Sequence, residues 1–466
     1  MERMSTLDAG FYFADSERTP LHIASVTVLE GPPPTHEELV RTVTAKLPQV
    51  PRYRQRVRTV PLNLDLPGWV DDPNFRLSYH LRHTAVPSPG GPEQLRNLVG
   101  RIMSQRMDPA RPLWEMWVAE GLADGRWALI AKVHHCVVDG VGGSDLITVL
   151  FDLEPDPPSG PGEQPQPAED PAPSKLSLAL GGLGQSVVAP AGALVRRLAR
   201  LPALPFQTDR LREAGQFAGG LPDTVEHIAH PPVPSLHGPT GPHRRWVSLE
   251  ADLDQVKTIR RELDLDYTVN DVILAAVTRG FRDLLAERGE LAPDTLVRSL
   301  VPVSVRQDAQ TLGNRVSALV VELPCGEPDP LARVESLHAQ MARLKQTHQA
   351  AGADALVRLA GTAPTMLSLA SRAVMTVART LFQTVTTNVP GPQFPLYVAG
   401  RKVVALYPYV PIAAGAGIAT GIFSYLGRLY FGVTGDFDTT LDLEVFTAGI
   451  THGLDELASA VPKGNR

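Results

Sequence analysis

Two stretches of this chain alternate apolar β-formers with amphipathic runs, and a proline-dense stretch separates them. In the first, Leu21 to Leu29 is rich in aliphatic and β-branched residues and predicts a strand. Glu37 to Leu47 carries its apolar residues at helical spacing. Trp127 to Ala131 is a continuous apolar run and predicts a buried strand, with a helix expected over Asp145 to Phe151. From about Arg244 the alternation resumes. Arg245 to Leu249 predicts a strand and Leu253 to Leu263 a helix. Thr268 to Glu287 gives the clearest helix, with Val272, Ile273, Ala276, Val277, Phe281, Leu284 and Leu285 on one face. Thr268, with Asp271 three residues on, forms its start signal. Strands are expected over Leu296 to Val305 and Arg315 to Leu323. Between the stretches, Pro155 to Pro173 reads as an extended linker. Lys175 to Pro242 is looser, helical and then irregular around Pro231 to Pro234. Residues 1–154, 155–243 and 244–466 are therefore taken as two α/β halves joined by a crossover. No repeat of solenoid period is visible.

Composition narrows the function. The 466 residues are 43% hydrophobic, enough for real cores. With 44 Lys+Arg against 50 Asp+Glu the formal charge is −6, which argues against nucleic-acid binding by bulk positive charge. Two cysteines, Cys136 and Cys325, exclude a disulfide scaffold and a multi-cysteine metal site. No apolar run of signal-peptide length follows Glu2 and Arg3. Leu176 to Val195 is uncharged, but its glycines and Pro190 make a poor membrane span. A cytoplasmic protein is expected, with contact to a membrane surface left open.

One motif carries chemistry. Lys132-Val133-His134-His135-Cys136-Val137-Val138-Asp139-Gly140 follows the apolar Trp127–Ala131 run. The histidines thus stand where a buried strand gives way to a loop, well placed to line a crevice. Neutral imidazole is abundant near pH 7 and can accept a proton from a hydroxyl or an amine. Asp139 could orient the base or hold the loop through an arginine, and Gly140 permits a tight turn. A metal site is the rival reading, because His135 and Asp139 are four apart. Against it, no His-Glu-x-x-His pattern occurs and the nearby cysteine is isolated.

His134-His135-x-x-x-Asp139-Gly140 resembles the active-site signature of the CoA-dependent acyltransferase superfamily. The whole chain is similar to the bacterial wax ester synthase/diacylglycerol acyltransferase family. Leu7-Asp8-Ala9-Gly10-Phe11 and Pro20-Leu21-His22 resemble its N-terminus. Arg111-Pro112-Leu113-Trp114 resembles its PLW block, and Val269-Asn270-Asp271 its ND block. Val301-Pro302-Val303-Ser304-Val305-Arg306, Leu312-Gly313-Asn314 and Thr387-Asn388-Val389-Pro390-Gly391-Pro392 resemble its C-terminal blocks. Each block is short; their joint order is specific.

The resemblance implies an α/β (α+β) fold of two chloramphenicol-acetyltransferase-like domains. Each is a mixed β-sheet flanked by helices, with an active-site tunnel between them. It implies acyl transfer from acyl-CoA, as co-substrate, to diacylglycerol or a long-chain alcohol, with no metal and no other cofactor. His135 becomes the general base and no acyl-enzyme forms. This agrees with the lack of a Gly-x-Ser-x-Gly elbow. His134 positions the loop, Asp139 pairs with Arg306, and Gly140 completes the turn. Contact with a membrane or lipid droplet is peripheral. An acyltransferase using a carrier-protein thioester or another acceptor, and a silent lipid-binding protein, are the alternatives.

Other residues divide between site and scaffold. Asn270, in the first turn of its helix, either polarises the thioester carbonyl or caps the helix. Trp114 either lines the acyl tunnel or fills the core. Asn388 either lines the site or belongs to a turn. Pro364 to Phe382 reads as a core helix in preference to a lipid-facing one. Arg52, Arg54, Arg56 and Arg58 alternate as a strand would and read as a solvated face in preference to one that meets CoA phosphates or anionic headgroups. His22, His80 and His83 read as structural.

Overall fold

The computed structural model describes residues 1–138, 149–155, 232–263, 266–304, 316–346, 381–412 and 415–461. The linker at Pro155–Pro173 beyond its first residue, all but the last two residues of the Pro364–Phe382 run, and Asp139, Gly140 and Arg306 lie outside them.

Two six-stranded sheets organise the described residues. The first runs, edge to edge, Tyr397–Val398, Arg401–Tyr409, His22–Leu29, Trp127–His134, Trp114–Glu120 and Leu81–Ala85. It is mixed: the Leu81–Ala85 strand is parallel to its neighbour and the rest are antiparallel. The second runs Val316–Pro324, Leu296–Ser304, Thr384–Val389, Ile418–Tyr425, Arg428–Asp436 and Arg244–Asp252. Thr384–Val389 is parallel to both its neighbours.

The Trp127–Ala131 run is continuous and apolar because the Trp127–His134 strand that contains it is buried along its whole length. Apart from the arginine series below, the predicted elements that fall within the described residues appear with shifts of a few residues at most; the helix expected over Asp145 to Phe151 lies mostly outside them. The second helix is His36–Lys46, held by a capping box between Thr35 and Glu38. The helix predicted from Thr268 spans Val269–Glu287 with Thr268 as its N-cap and Asp271 closing the box. It packs on the Leu443–Ala460 helix, with the Phe281 and Phe446 rings 4.5 Å apart. Together these helices cover one face of the second sheet.

The Arg401–Tyr409 strand ties the two units together. It leaves the second half of the chain and pairs with His22–Leu29, so the first sheet takes strands from both halves. Its Pro408 carbonyl presses against Gly432 of the second sheet, where an added Cβ would lie 1.7 Å from the oxygen. Only a residue without a side chain permits that crossing.

The arginine series departs from the sequence expectation. Pro51–Arg54 is a short 3-10 turn and only Gln55–Arg58 is a strand. Pro51 fixes the turn, and Tyr53 faces inward beneath Trp114. Arg52 stacks over Trp69 and pairs with Glu2 at 2.6 Å, so this stretch is partly buried. Among the described residues no helix is long and apolar enough to cross a membrane.

Candidate active site

The Trp127–His134 strand ends on the first of the two histidines, with His22 opposite it on the neighbouring strand. Main-chain hydrogen bonds from segments distant in sequence fix this end. The His134 N–H donates to the Leu113 carbonyl at 3.0 Å. The His135 N–H donates to the Leu21 carbonyl and the Val137 N–H to the His134 carbonyl, both at 2.9 Å. Leu113 and Leu21 belong to the Pro-Leu-Trp and Pro-Leu-His blocks, so these short motifs clamp the histidine loop.

The two rings do different work. His134 is buried, and its Nδ1 accepts the Cys136 N–H at 3.2 Å. A backbone N–H can only donate, so Nδ1 holds a lone pair and the proton sits on Nε2. Nε2 faces Asp15 Oδ1 at 3.7 Å. Asp15 also accepts the Leu21 N–H at 2.9 Å and the Arg106 Nε at 3.1 Å, with a second bond from the same guanidinium. Burial alone would raise the Asp15 carboxyl; His134, the Leu21 amide and Arg106 outweigh it and hold the carboxyl well below its ordinary range. Asp15 is therefore an anion that orients His134.

His135 is partly exposed and stacks on Phe11, with ring centroids 4.1 Å apart and planes 30° apart. Phe11 comes from the Thr6–Ala14 helix, whose N-cap Ser5 accepts the Asp8 N–H. The His135 Nδ1 is buried without a hydrogen-bond partner among the described residues. Burial pulls the ring down to about 4. At neutral pH His135 is uncharged and can accept a proton.

The neighbouring titratable groups are committed elsewhere. His22 is fully buried, and burial, then Lys132, push it well below its ordinary value. Lys132 is buried and donates to the Ile102 carbonyl at 2.9 Å and to the Gln105 carbonyl. Burial lowers it to about 8, with Glu115 opposing. Burial, then Asp8 and Asp15, raise the Cys136 thiol well above its ordinary value, so it stays protonated and inert. Of the nitrogen bases at this end of the sheet, His135 alone is both neutral and partly open.

The other sequence candidates scatter. Trp114 is 2% exposed, stacks on His80 at 4.5 Å and donates its Nε1 proton to the Tyr53 carbonyl at 2.7 Å. It lies in the core beneath the histidine strand. Asn270 is the second residue of its helix and partly exposed. Asn388 lies within the Thr384–Val389 strand, opposite Ile422. The turn expected there starts beyond Val389, because Thr384 to Val389 carries the β-formers and Pro390 closes the strand. No hydrogen bond, ion pair or ring contact among the described residues joins Asn270 or Asn388 to His134 or His135. His80 is buried on the Trp114 carbonyl at 2.8 Å, and His83 packs edge-on to His36. Among the described residues no three His, Cys, Asp or Glu side chains gather as metal ligands. Sequence reading missed Asp15 and Arg106 altogether. Both lie far from the motif along the chain, and only the sheet register brings them to His134. Phe11 stood within a quoted block without a role.

The comparisons with known proteins identify the family. Residues 4–273 match the wax ester synthase/diacylglycerol acyltransferase catalytic domain, and 312–458 match the family's C-terminal domain. A relative in Mycobacterium tuberculosis, named as a probable diacylglycerol O-acyltransferase, is 34% identical over 464 residues, covering 98% of this chain and 96% of its own. Among solved structures, the wax ester synthase/diacylglycerol acyltransferase of Marinobacter aquaeolei superposes with a TM-score of 0.65 at 23% identity, covering 98% of both chains. The starter condensation domain of rhizomide synthetase superposes at 0.57 with 16% identity, covering 99% of this chain and 95% of that one. At those identities the structures speak for the fold. The family matches and the long relative carry the assignment: this chain belongs to the wax ester synthase/diacylglycerol acyltransferase family and is an acyltransferase.

Proposed function

We propose that the protein moves a long-chain acyl group from acyl-CoA to the free hydroxyl of diacylglycerol, and that it also accepts fatty alcohols to give wax esters. The observation that carries this reading is the neutral, partly open His135 at the end of the buried strand. The 34% identical relative, named for diacylglycerol, supports the choice of acceptor.

His135 takes the proton from the acceptor hydroxyl as its oxygen attacks the thioester carbonyl. The tetrahedral intermediate then collapses, the C–S bond breaks, and the imidazolium returns its proton to the leaving thiolate. No acyl-enzyme is formed. Asp15 and Arg106 act through His134, which pins the Cys136 amide and with it the main chain of His135. The family resemblance assigns Asp139 to holding the loop with Arg306 as its partner; both lie outside the described residues. Asn270, at a helix N-terminus where unpaired N–H groups favour negative charge, serves the developing oxyanion. Apolar contacts discriminate chain length weakly, which suits a site taking both acceptors.

The test is CoA release from palmitoyl-CoA with and without a diacylglycerol, followed by a product survey over a panel of long-chain alcohols. Release requires an acceptor, and His135→Ala lowers it by about 10²–10⁴-fold, the range for a lost general base. Acceptor-independent release, or full activity in His135→Ala, overturns the reading.

A further inference from the structure

A cleft of about 970 Å³ lies where the two units meet, between the Pro92–Ser104 helix, the start of the Arg244–Asp252 strand and the N-terminal end of the Leu443–Ala460 helix. Helix and strand touch closely: a Cβ at Gly100 would lie 2.8 Å from the Arg244 carbonyl oxygen, and the Arg244 N–H donates to Ser104 Oγ at 2.9 Å. Strand alternation turns Arg244 inward, where it is 3% exposed and donates to the Gly241, His243 and Arg18 carbonyls. Arg245, turned the other way, lines the cleft. Its Nε donates to the Phe437 carbonyl at 2.9 Å and its guanidinium lies 4.2 Å over the Phe437 ring. Neither terminal nitrogen of Arg245 has a partner among the described residues. Arg101 is exposed and makes no ion pair or hydrogen bond among the described residues.

The carboxylates of the cleft do not cancel these charges. Glu444 is taken by Arg96 at 3.0 Å. Glu93 sits eight residues before Arg101, about 12 Å along the helix. Apolar surface adjoins the arginines: Phe437 is 43% and Leu441 72% exposed. Two cations with free guanidinium edges beside exposed apolar side chains suit a ligand with phosphate esters and a less polar body. The inner end of the cleft, at Ser104 and Gln105, adjoins Arg106, which holds Asp15 and through it His134.

We infer that this cleft anchors the phosphorylated nucleotide end of the acyl-CoA donor, with Arg101 and Arg245 on its phosphates. The inference rests on the proposed use of acyl-CoA and adds where the donor is gripped. The shared chemistry, a phosphate ester on an amphiphile, also describes a phospholipid headgroup, and the test separates the two sources.

The experiment uses the full chain with Arg101→Ala, Arg245→Ala, the double variant and the lysine replacements. Three readouts are taken: KM and kcat with palmitoyl-CoA and with palmitoyl-pantetheine, which lacks the nucleotide phosphates; calorimetric binding of free CoA; and co-sedimentation with phosphatidylglycerol vesicles. Each alanine variant raises KM for palmitoyl-CoA and the Kd of free CoA about tenfold, equivalent to about 1.4 kcal/mol. The kinetic constants with palmitoyl-pantetheine and the vesicle binding do not move, and lysine restores part of the loss. Unchanged CoA binding in the double variant, an equal loss with palmitoyl-pantetheine, or a loss confined to vesicles overturns the inference. If wild type lacks His135-dependent CoA release, the function reading fails instead; if that release persists while the arginine variants bind CoA normally, the cleft alone is wrong.

Discussion

Lowering the pH separates the base from the scaffold, because both depend on histidines held neutral. An ordinary histidine titrates near 6.5, whereas burial holds His135 at about 4. At pH 5.5 a ring of ordinary pKa would be only about 9% neutral, while one titrating near 4 is about 97% neutral. The acid limb of kcat/KM is therefore expected near pH 4, with about tenfold more activity at pH 5.5 than an unperturbed base would allow. Stability moves in the opposite sense. His22 and His80 are each 1% exposed, with pKa values lowered well below 6.5 and to about 4 respectively. A histidine whose folded pKa is depressed contributes stability that is present above 6.5. That stability is lost as pH falls, because the unfolded chain binds the extra proton. Each such histidine gives a slope of about 1.4 kcal/mol per pH unit below 6.5, so the two buried rings cost about 3 kcal/mol by pH 5.5. His135, also held at about 4, adds a similar share in the same direction. Against a typical total of about 5–15 kcal/mol, the fold survives at pH 5.5 and weakens sharply towards 4. The assay is initial-rate loss of thioester absorbance from pH 8 to 4, with near-ultraviolet circular dichroism on the same samples. An acid limb centred at 6.5 while the dichroism stays native would refute the neutral-base reasoning.

Four further outcomes are expected. Asp15→Asn keeps the shape but removes the charge that faces His134 and Arg106, and kcat/KM falls about tenfold in steady-state assays. Arg106 is 46% exposed, so the thermal midpoint shifts by only a few degrees. Gly432→Ala drives a methyl group into the Pro408 carbonyl and destabilises by about 1–3 kcal/mol, measured by urea unfolding. Trp114→Phe removes the hydrogen bond from the indole Nε1 to the Tyr53 carbonyl and opens a void; about 2 kcal/mol is lost in the same assay, with kcat little changed. Cys136→Ser retains most of the wild-type activity, and a thiol alkylator leaves the native enzyme active, since the buried Cys136 thiol is protonated and closed to reagent.

The scaffold was legible where periodicity and caps agree. Thr268 and Asp271 announced a helix start that the structure closes as a capping box, and the apolar Trp127 run announced a strand buried on both faces. Polar positions were harder. Arg52 to Arg58 alternates by residue type, yet Pro51 imposes a turn that period-two counting does not register. Asn388 was drawn into a turn by the Pro-Gly-Pro that follows it, although the β-formers before it decide the backbone. The histidine pair itself was plain in the sequence, as was the likeness of the blocks around it. What those blocks do was not. Leu21 and Leu113 act through main-chain carbonyls, which have no side-chain signature, and Asp15 meets His134 only after two strands align.

The register explains why two adjacent histidines need not share a task. Alternation places Lys132 and His134 on the face met by the Pro92–Ser104 helix and its exit, where Lys132 finds the Ile102 and Gln105 carbonyls and His134 finds Asp15. His135 stands one residue later, beyond the last pair of the strand, and turns to Phe11. The first ring therefore takes a backbone donor on Nδ1 and faces an anion with Nε2. The second meets an aromatic face and no anion, and burial keeps it neutral. A base that must give up and regain a proton near neutral pH gains from the second environment and would be disabled by the first. Asp15, the strongest negative partner near the pair, thus serves the reaction by engaging the histidine that does not carry it out.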